Sequence, residues 1–200
     1  MNAIINPLDP ENPLPAKTVV IIGMPGSGKS SVGRKLAARL GLSFFDSDLE
    51  VEKAAGMKVE QIFEKLGEPA FREGERRVIA RLLEQPPHVL ATGGGAFMDK
   101  DSRHLIQSHA ISIWLRVDFP ILFERTSRRN DRPLLKGENP EQKLKELLAA
   151  REPFYAKADV TVTSDRRPAD ETVDRLLKAL GAFVRQSSPC SRQPRQTTAS

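Results

Sequence analysis

The chain is poor in the residues that build redox and metal chemistry. A single cysteine, Cys190, stands in a polar stretch near the end of the 200 residues, so neither an intrachain disulfide nor a thiolate metal centre can be assembled. The three histidines, His88, His104 and His109, follow no ligand spacing and are expected to be structural or exposed. No apolar run approaches the length of a membrane span, and no N-terminal stretch has the basic-then-apolar order of a signal peptide. A cytoplasmic protein without a membrane partner is the expectation.

Acidic residues are missing from one place in particular. Between Arg185 and Ser200 there is none, whereas Arg185, Arg192 and Arg195 all fall there, which accounts for part of the net charge of +5 and the pI near 9.5. Ser, Gln, Pro and Thr surround those arginines, and the segment 185–200 reads as a disordered basic tail. The remaining arginines are scattered rather than striped, so no nucleic-acid partner is expected. Residues 1–16 hold four prolines and no periodicity and read as an irregular arm. One globular domain, 17–184, remains, and 39% hydrophobic content is ample for a single core.

What is present starts with Gly23-Met24-Pro25-Gly26-Ser27-Gly28-Lys29-Ser30, the phosphate-binding pattern G-x-x-x-x-G-K-[ST]. Before it, Thr18-Val19-Val20-Ile21-Ile22 is a β-branched run suited to a strand buried on both faces. After it, Val32, Leu36 and Leu40 recur at helical spacing and Gly41 offers a C-cap. Glycines at 23, 26 and 28 let consecutive N–H groups turn inward around phosphate oxygens at a helix N-terminus. Gly26, Ser27, Gly28, Lys29, Ser30 and Ser31 are therefore the expected ATP cradle, with Lys29 on the β- and γ-phosphates and the Ser30 hydroxyl on Mg²⁺.

Further apolar runs at 42–45, 88–91, 110–115 and 159–162 predict four more strands. Helical patterns are predicted over 48–65, 68–84, 118–128, 140–150 and 168–184, the last with Val173, Leu176, Leu177, Leu180 and Val184 on one face. Five strands joined by helices imply an α/β fold, a three-layer α/β/α sandwich around a five-stranded parallel sheet with ligands at the strand C-terminal ends.

Two motifs sit at such ends. In Phe45-Asp46-Ser47-Asp48 residues two apart in an extended chain share a side, so both carboxylates are expected to face the crevice. One would hold a metal-bound water and the other would accept a hydrogen bond from a substrate hydroxyl; Ser47 or Asp48 could instead cap the next helix. In Ala91-Thr92-Gly93-Gly94-Gly95-Ala96 the glycines let backbone approach a ligand closely. No acidic residue ends that third strand, so the metal is assigned to Ser30 and Asp46.

Taken in order, GMPGSGKS, FFDSD, Gly67-Glu68-Pro69-Ala70-Phe71-Arg72, ATGGG, Arg132-Pro133-Leu134-Leu135 and Arg151-Glu152-Pro153-Phe154-Tyr155 resemble the shikimate kinases, over about Thr18 to Leu180. The resemblance implies a nucleoside-monophosphate-kinase-like fold with a mobile lid and transfer of the ATP γ-phosphoryl group to the 3-hydroxyl of shikimate. It implies that Asp48 binds the acceptor hydroxyls as base or orienting group, that Arg72 and Arg151 grip the carboxylate, and that Gly93, Gly94 and Gly95 line the pocket. It further implies a lid over about 126–140 whose Arg132 reaches the transferring phosphoryl group. Adenine contacts are implied for Arg125 and for Arg167 in the loop 164–168. A monomer with one Mg²⁺ is expected. Another small-molecule kinase of this architecture, for gluconate or a nucleotide, and a non-catalytic nucleotide-binding module are the competing readings.

Overall fold

The computed structural model describes residues 17–127 and 139–187. The expected arm 1–16, nearly all of the tail, and the centre of the expected lid with Arg132 lie outside the described residues.

The strand written as TVVII is the centre of the molecule. This strand, β1 (Thr18–Ile22), is buried at every position and pairs in parallel with β3 (Val89–Ala91) on one side and β4 (Ala110–Arg116) on the other. β2 (Phe44–Asp46) adds beyond β3, and β5 (Val160–Thr163) beyond β4, giving a five-stranded parallel sheet in the order β2-β3-β1-β4-β5. Because successive side chains of a strand point to opposite faces, Val19 and Ile21 enter one core and Val20 and Ile22 another.

The first core is covered by α1 (Lys29–Leu40) and α7 (Ala169–Ser187) through Val32, Leu36, Leu40, Val173, Leu176 and Leu180. The second lies under α3 (Val59–Leu83), α4 (Lys100–His109), α5 (Phe119–Ser127) and α6 (Pro140–Tyr155), with Ile79, Leu82, Ile106, Leu122, Leu144 and Tyr155 fully or almost fully buried. α1 ends at Gly41 in the left-handed conformation, as read from the sequence.

Several helix boundaries differ from the sequence reading. The single helix expected over 48–65 is two, α2 (Ser47–Ala55) and the start of α3, because Gly56 adopts left-handed angles (φ 63°) and closes α2. The break expected between 65 and 68 is present inside α3: Gly67, at φ 82°, ψ 168°, is non-helical and separates two helical stretches, with Pro69 just inside the second. α4 was not anticipated at all; its start is set by Asp99, whose carboxylate accepts from the Ser102 N–H at 2.8 Å. α6 also runs on past Ala150 through Pro153, and α7 past Val184.

The chain leaves β1 for α1 on one face of the sheet and leaves the neighbouring β3 for α4 on the other. A crevice therefore opens above the C-terminal ends of these two strands, the position where parallel α/β sheets hold ligands. α1 packs closely beside it. A methyl group at Gly33 would fall 2.6 Å from Phe44 Cε2 and 3.3 Å from Ile21 Cδ1. Gly33→Ala should thus cost about 1–3 kcal/mol in unfolding free energy by overpacking, read as a lower Tm; an unchanged Tm would show that the α1–sheet contact yields freely.

Candidate active site

The phosphate loop closes on itself around Lys29. Its ammonium donates to the carbonyls of Gly23 and Met24, each at 3.0 Å, and the Ser27 N–H donates to Met24 O at 3.1 Å. Lys29 and Ser27 are buried, Gly26, Gly28 and Ser30 are partly so, and Ser31 is exposed in the first turn of α1. The Ser30 hydroxyl donates to Asp46 Oδ2 at 2.6 Å, so the two residues read as metal ligands stand side by side. Hydroxyl and carboxylate oxygens are the donors a hard divalent cation takes together with phosphate and water.

Asp46 and Asp48 reach the crevice by a different route from the one expected. Asp46 ends β2 and caps α2, accepting from the Asp48 N–H at 3.2 Å, while Asp48 already lies in the first helical turn. Their common direction comes from this turn, not from an extended chain. The cap is Asp46 itself, where Ser47 or Asp48 had been considered. Ser47 is fully buried, and its hydroxyl accepts the Gly93 N–H at 2.9 Å, tying the start of α2 to the glycine loop.

The glycine loop is where four charged side chains converge. A methyl group at Gly93 would lie 2.7 Å from Asp48 Oδ1 and closer still to Glu75 Oε1; at Gly94 it would lie 2.9 Å from Arg151 Nη1; at Gly95 it would overlap the Arg72 guanidinium. A β-carbon at any of the three positions would push these side chains aside, those of Glu75 and Asp48 at Gly93, Arg151 and the ring of Pro25 at Gly94, and Arg72 at Gly95. Arg72 donates to Glu75 Oε2 at 2.9 Å and to Glu68 Oε1 from Nη2 at 2.9 Å. Asp48 Oδ1, Glu75 Oε1 and Arg151 Nη1 are buried and make no hydrogen bond among the described residues, leaving two acceptors and a donor directed at the loop.

Charge crowding shifts the acids. Burial, then the neighbouring Asp46, raises the Asp48 carboxyl above the ordinary range, against the pull of Lys29 and Arg72. Burial and the adjacent Asp48 push Glu75 up to about 7 in spite of Arg72. Glu75 was not anticipated from the sequence, yet it left a trace: it falls on the buried stripe Phe71, Glu75, Val78, Ile79, Leu82 of α3, where a carboxylate is out of place unless partnered.

Arg125 reaches the phosphate loop, donating to Ser27 O at 3.3 Å and to Ser164 Oγ at 3.2 Å, and also to the Asp165 carbonyl. Arg167 is not brought to the phosphate loop: it is exposed and pairs with Asp165 and Glu171. Hydrogen bonds from Arg175 and Arg167 hold the Asp165 carboxyl well below its usual range. The described residues thus unite Lys29, Ser30, Asp46, Asp48, Arg72, Arg151 and Gly93–Gly95 along one crevice, with Arg125 at its far end.

Known proteins resemble this chain in sequence and in fold. The shikimate kinase family model matches residues 25–181. A shikimate kinase of Caulobacter vibrioides is 55% identical over 168 residues, 84% of either chain. The shikimate kinase of Acinetobacter baumannii, solved in complex with shikimate, superposes with a TM-score of 0.81 at 36% identity, covering 87% of this chain and 96% of that one. A gluconokinase of Sinorhizobium meliloti, at 22% identity and a TM-score of 0.52, shares the fold alone. With its phosphate loop, glycine loop and parallel sheet accounted for, the chain belongs to the shikimate kinase family.

Proposed function

We propose that this protein transfers the γ-phosphoryl group of ATP to the 3-hydroxyl of shikimate, and that the four charged side chains over Gly93–Gly95 form the acceptor pocket. The observation that carries this reading is the convergence of Asp48, Glu75, Arg72 and Arg151 on one stretch of bare backbone, with buried oxygens of Asp48 and Glu75 and a nitrogen of Arg151 directed into it. Such a set suits a small ligand bearing both hydroxyls and a carboxylate.

In this reading Arg72 and Arg151 pair with the carboxylate, since a guanidinium fork matches its two oxygens. Asp48 accepts the proton of the attacking hydroxyl, or orients it; its raised pKa makes it a better base than a surface carboxylate. Lys29 and the backbone N–H groups of residues 26–31 hold the phosphates at the helix N-terminus. Arg132 from the lid adds positive charge where negative charge accumulates in the transition state, a type of contribution worth about 10³ to 10⁵ in rate elsewhere. Ser30 and Asp46 would hold one Mg²⁺, which neutralises phosphate charge when bound. Arg125, from the end of α5, and Arg167, from the loop 164–168, flank the adenine.

The protein acts as a cytoplasmic monomer. Among the described residues only Leu49 and Leu66 are large apolar side chains left exposed, and no helix is long and apolar enough to cross a membrane.

ADP release with Mg²⁺-ATP should be stimulated by shikimate and not by gluconate or nucleoside monophosphates; stimulation by one of those instead would retain the phosphate site and discard the pocket. Asp48→Asn should lower kcat by about 10²-fold or more with little change in ATP affinity, whereas retention of most turnover would remove Asp48 from the chemistry.

Glu75 gives a pH prediction. Its folded-state pKa lies above the unfolded value near 4.5, so the folded protein holds the extra proton, and stability falls as pH rises from about 4.5 through 7. Glu75→Gln should therefore become more stable relative to the unmodified protein across that window, by roughly 1–3 kcal/mol. Parallel stability profiles in chemical denaturation would contradict the shifted carboxyl.

A further inference from the structure

α6 brings two side chains to the glycine loop, one turn apart. Arg151 and Tyr155 are four residues apart and so share a face of the helix. Arg151 stands beside Gly94, and the Tyr155 hydroxyl donates to the Gly94 carbonyl. Gly94 also meets the phosphate loop, since a methyl group there would fall 2.8 Å from Pro25 Cδ. The same hydroxyl lies 4.0 Å from Met24 Sδ.

The ring of Tyr155 is wholly buried and packs 6.0 Å from that of Trp114 at 33°. Ring packing alone would be served equally well by phenylalanine. The hydroxyl is the one part of the side chain aimed at the site, and burial pushes its pKa up to about 12, so it stays a donor throughout the working range of pH.

We propose that Tyr155 is a positioning residue of the acceptor pocket: its hydroxyl fixes the Gly94 carbonyl, and with it the glycine loop, at the height where Arg151 meets the acceptor carboxylate. The inference rests on the pocket reading given above. Gly94 lies in a slot between Pro25 and Arg151 with no room for a methyl group, so a shift of a few tenths of an ångström in its carbonyl changes its contact with both. The hydrogen bond from Tyr155 is what holds the carbonyl in place. Tyr155 acts through Gly94 and Arg151 and needs no contact with the acceptor itself.

The test uses the full chain with Tyr155→Phe, Arg151→Lys and the double variant. Steady-state kinetics give KM for each substrate, and the fluorescence of Trp114, the sole tryptophan, gives shikimate affinity directly. Tyr155→Phe should raise the shikimate KM about fivefold to tenfold and leave the ATP KM within about twofold. The double variant should lose less than the product of the two single losses, because both act through one contact. Melting curves measured alongside establish that each variant is folded. An unchanged shikimate KM in folded Tyr155→Phe, an equal rise in both KM values, or multiplicative losses would overturn the inference while leaving the pocket standing. An unchanged shikimate KM in Arg151→Lys would overturn the pocket reading itself, and this inference with it.

Discussion

The constraint on which the site depends is the close approach of bare backbone at Gly93, Gly94 and Gly95 to four charged side chains. Asp48 comes from α2, Glu75 and Arg72 from α3, and Arg151 from α6. Two acids and two guanidinium groups crowded together, Glu75 and Arg151 buried and Asp48 and Arg72 partly so, would be costly if left as isolated ions; Arg72 offsets part of that cost by pairing with Glu75 and Glu68. The rest shows as raised pKa values at Asp48 and Glu75. The strain is electrostatic, and it is concentrated on the two carboxylates over the glycine loop.

The sheet serves this arrangement by placing loops, not by supplying side chains. β1 delivers the phosphate loop, β2 delivers Asp46, and β3 delivers the glycines, all at the same edge. Small hydrogen bonds then lock the loops together: Ser30 to Asp46, Gly93 to Ser47, and Tyr155 to Gly94. The gluconokinase likeness extends to the fold alone.

Legibility in the sequence followed the range of the interactions. The strand-loop-helix of the phosphate site is local, and the β-branched run, the glycines and the 3.6-residue repeat after Lys29 were sufficient to read it. The five strands were each a short apolar run and were found within a residue or two. The division of α2 from α3 turned on one left-handed glycine, Gly56, inside a pattern that otherwise continued. α4 was overlooked although Asp99 and Ser102 give a cap signal, because few apolar residues mark its buried side. Glu75 and Tyr155 needed three-dimensional adjacency: a lone carboxylate on an apolar stripe and a tyrosine at the end of α6 acquire meaning only when α3, α6 and the glycine loop are seen together.

The central claim is that the charges over the glycine loop select a carboxylate-bearing acceptor. It is tested most directly by comparing shikimate with its methyl ester, which keeps every hydroxyl and removes the negative charge. If Arg72 and Arg151 grip the carboxylate, kcat/KM for the ester should fall by about 10²-fold or more, with ATP affinity unchanged. Equal kcat/KM for the acid and the ester would contradict the account, because the two arginines would then have no part in recognising the acceptor.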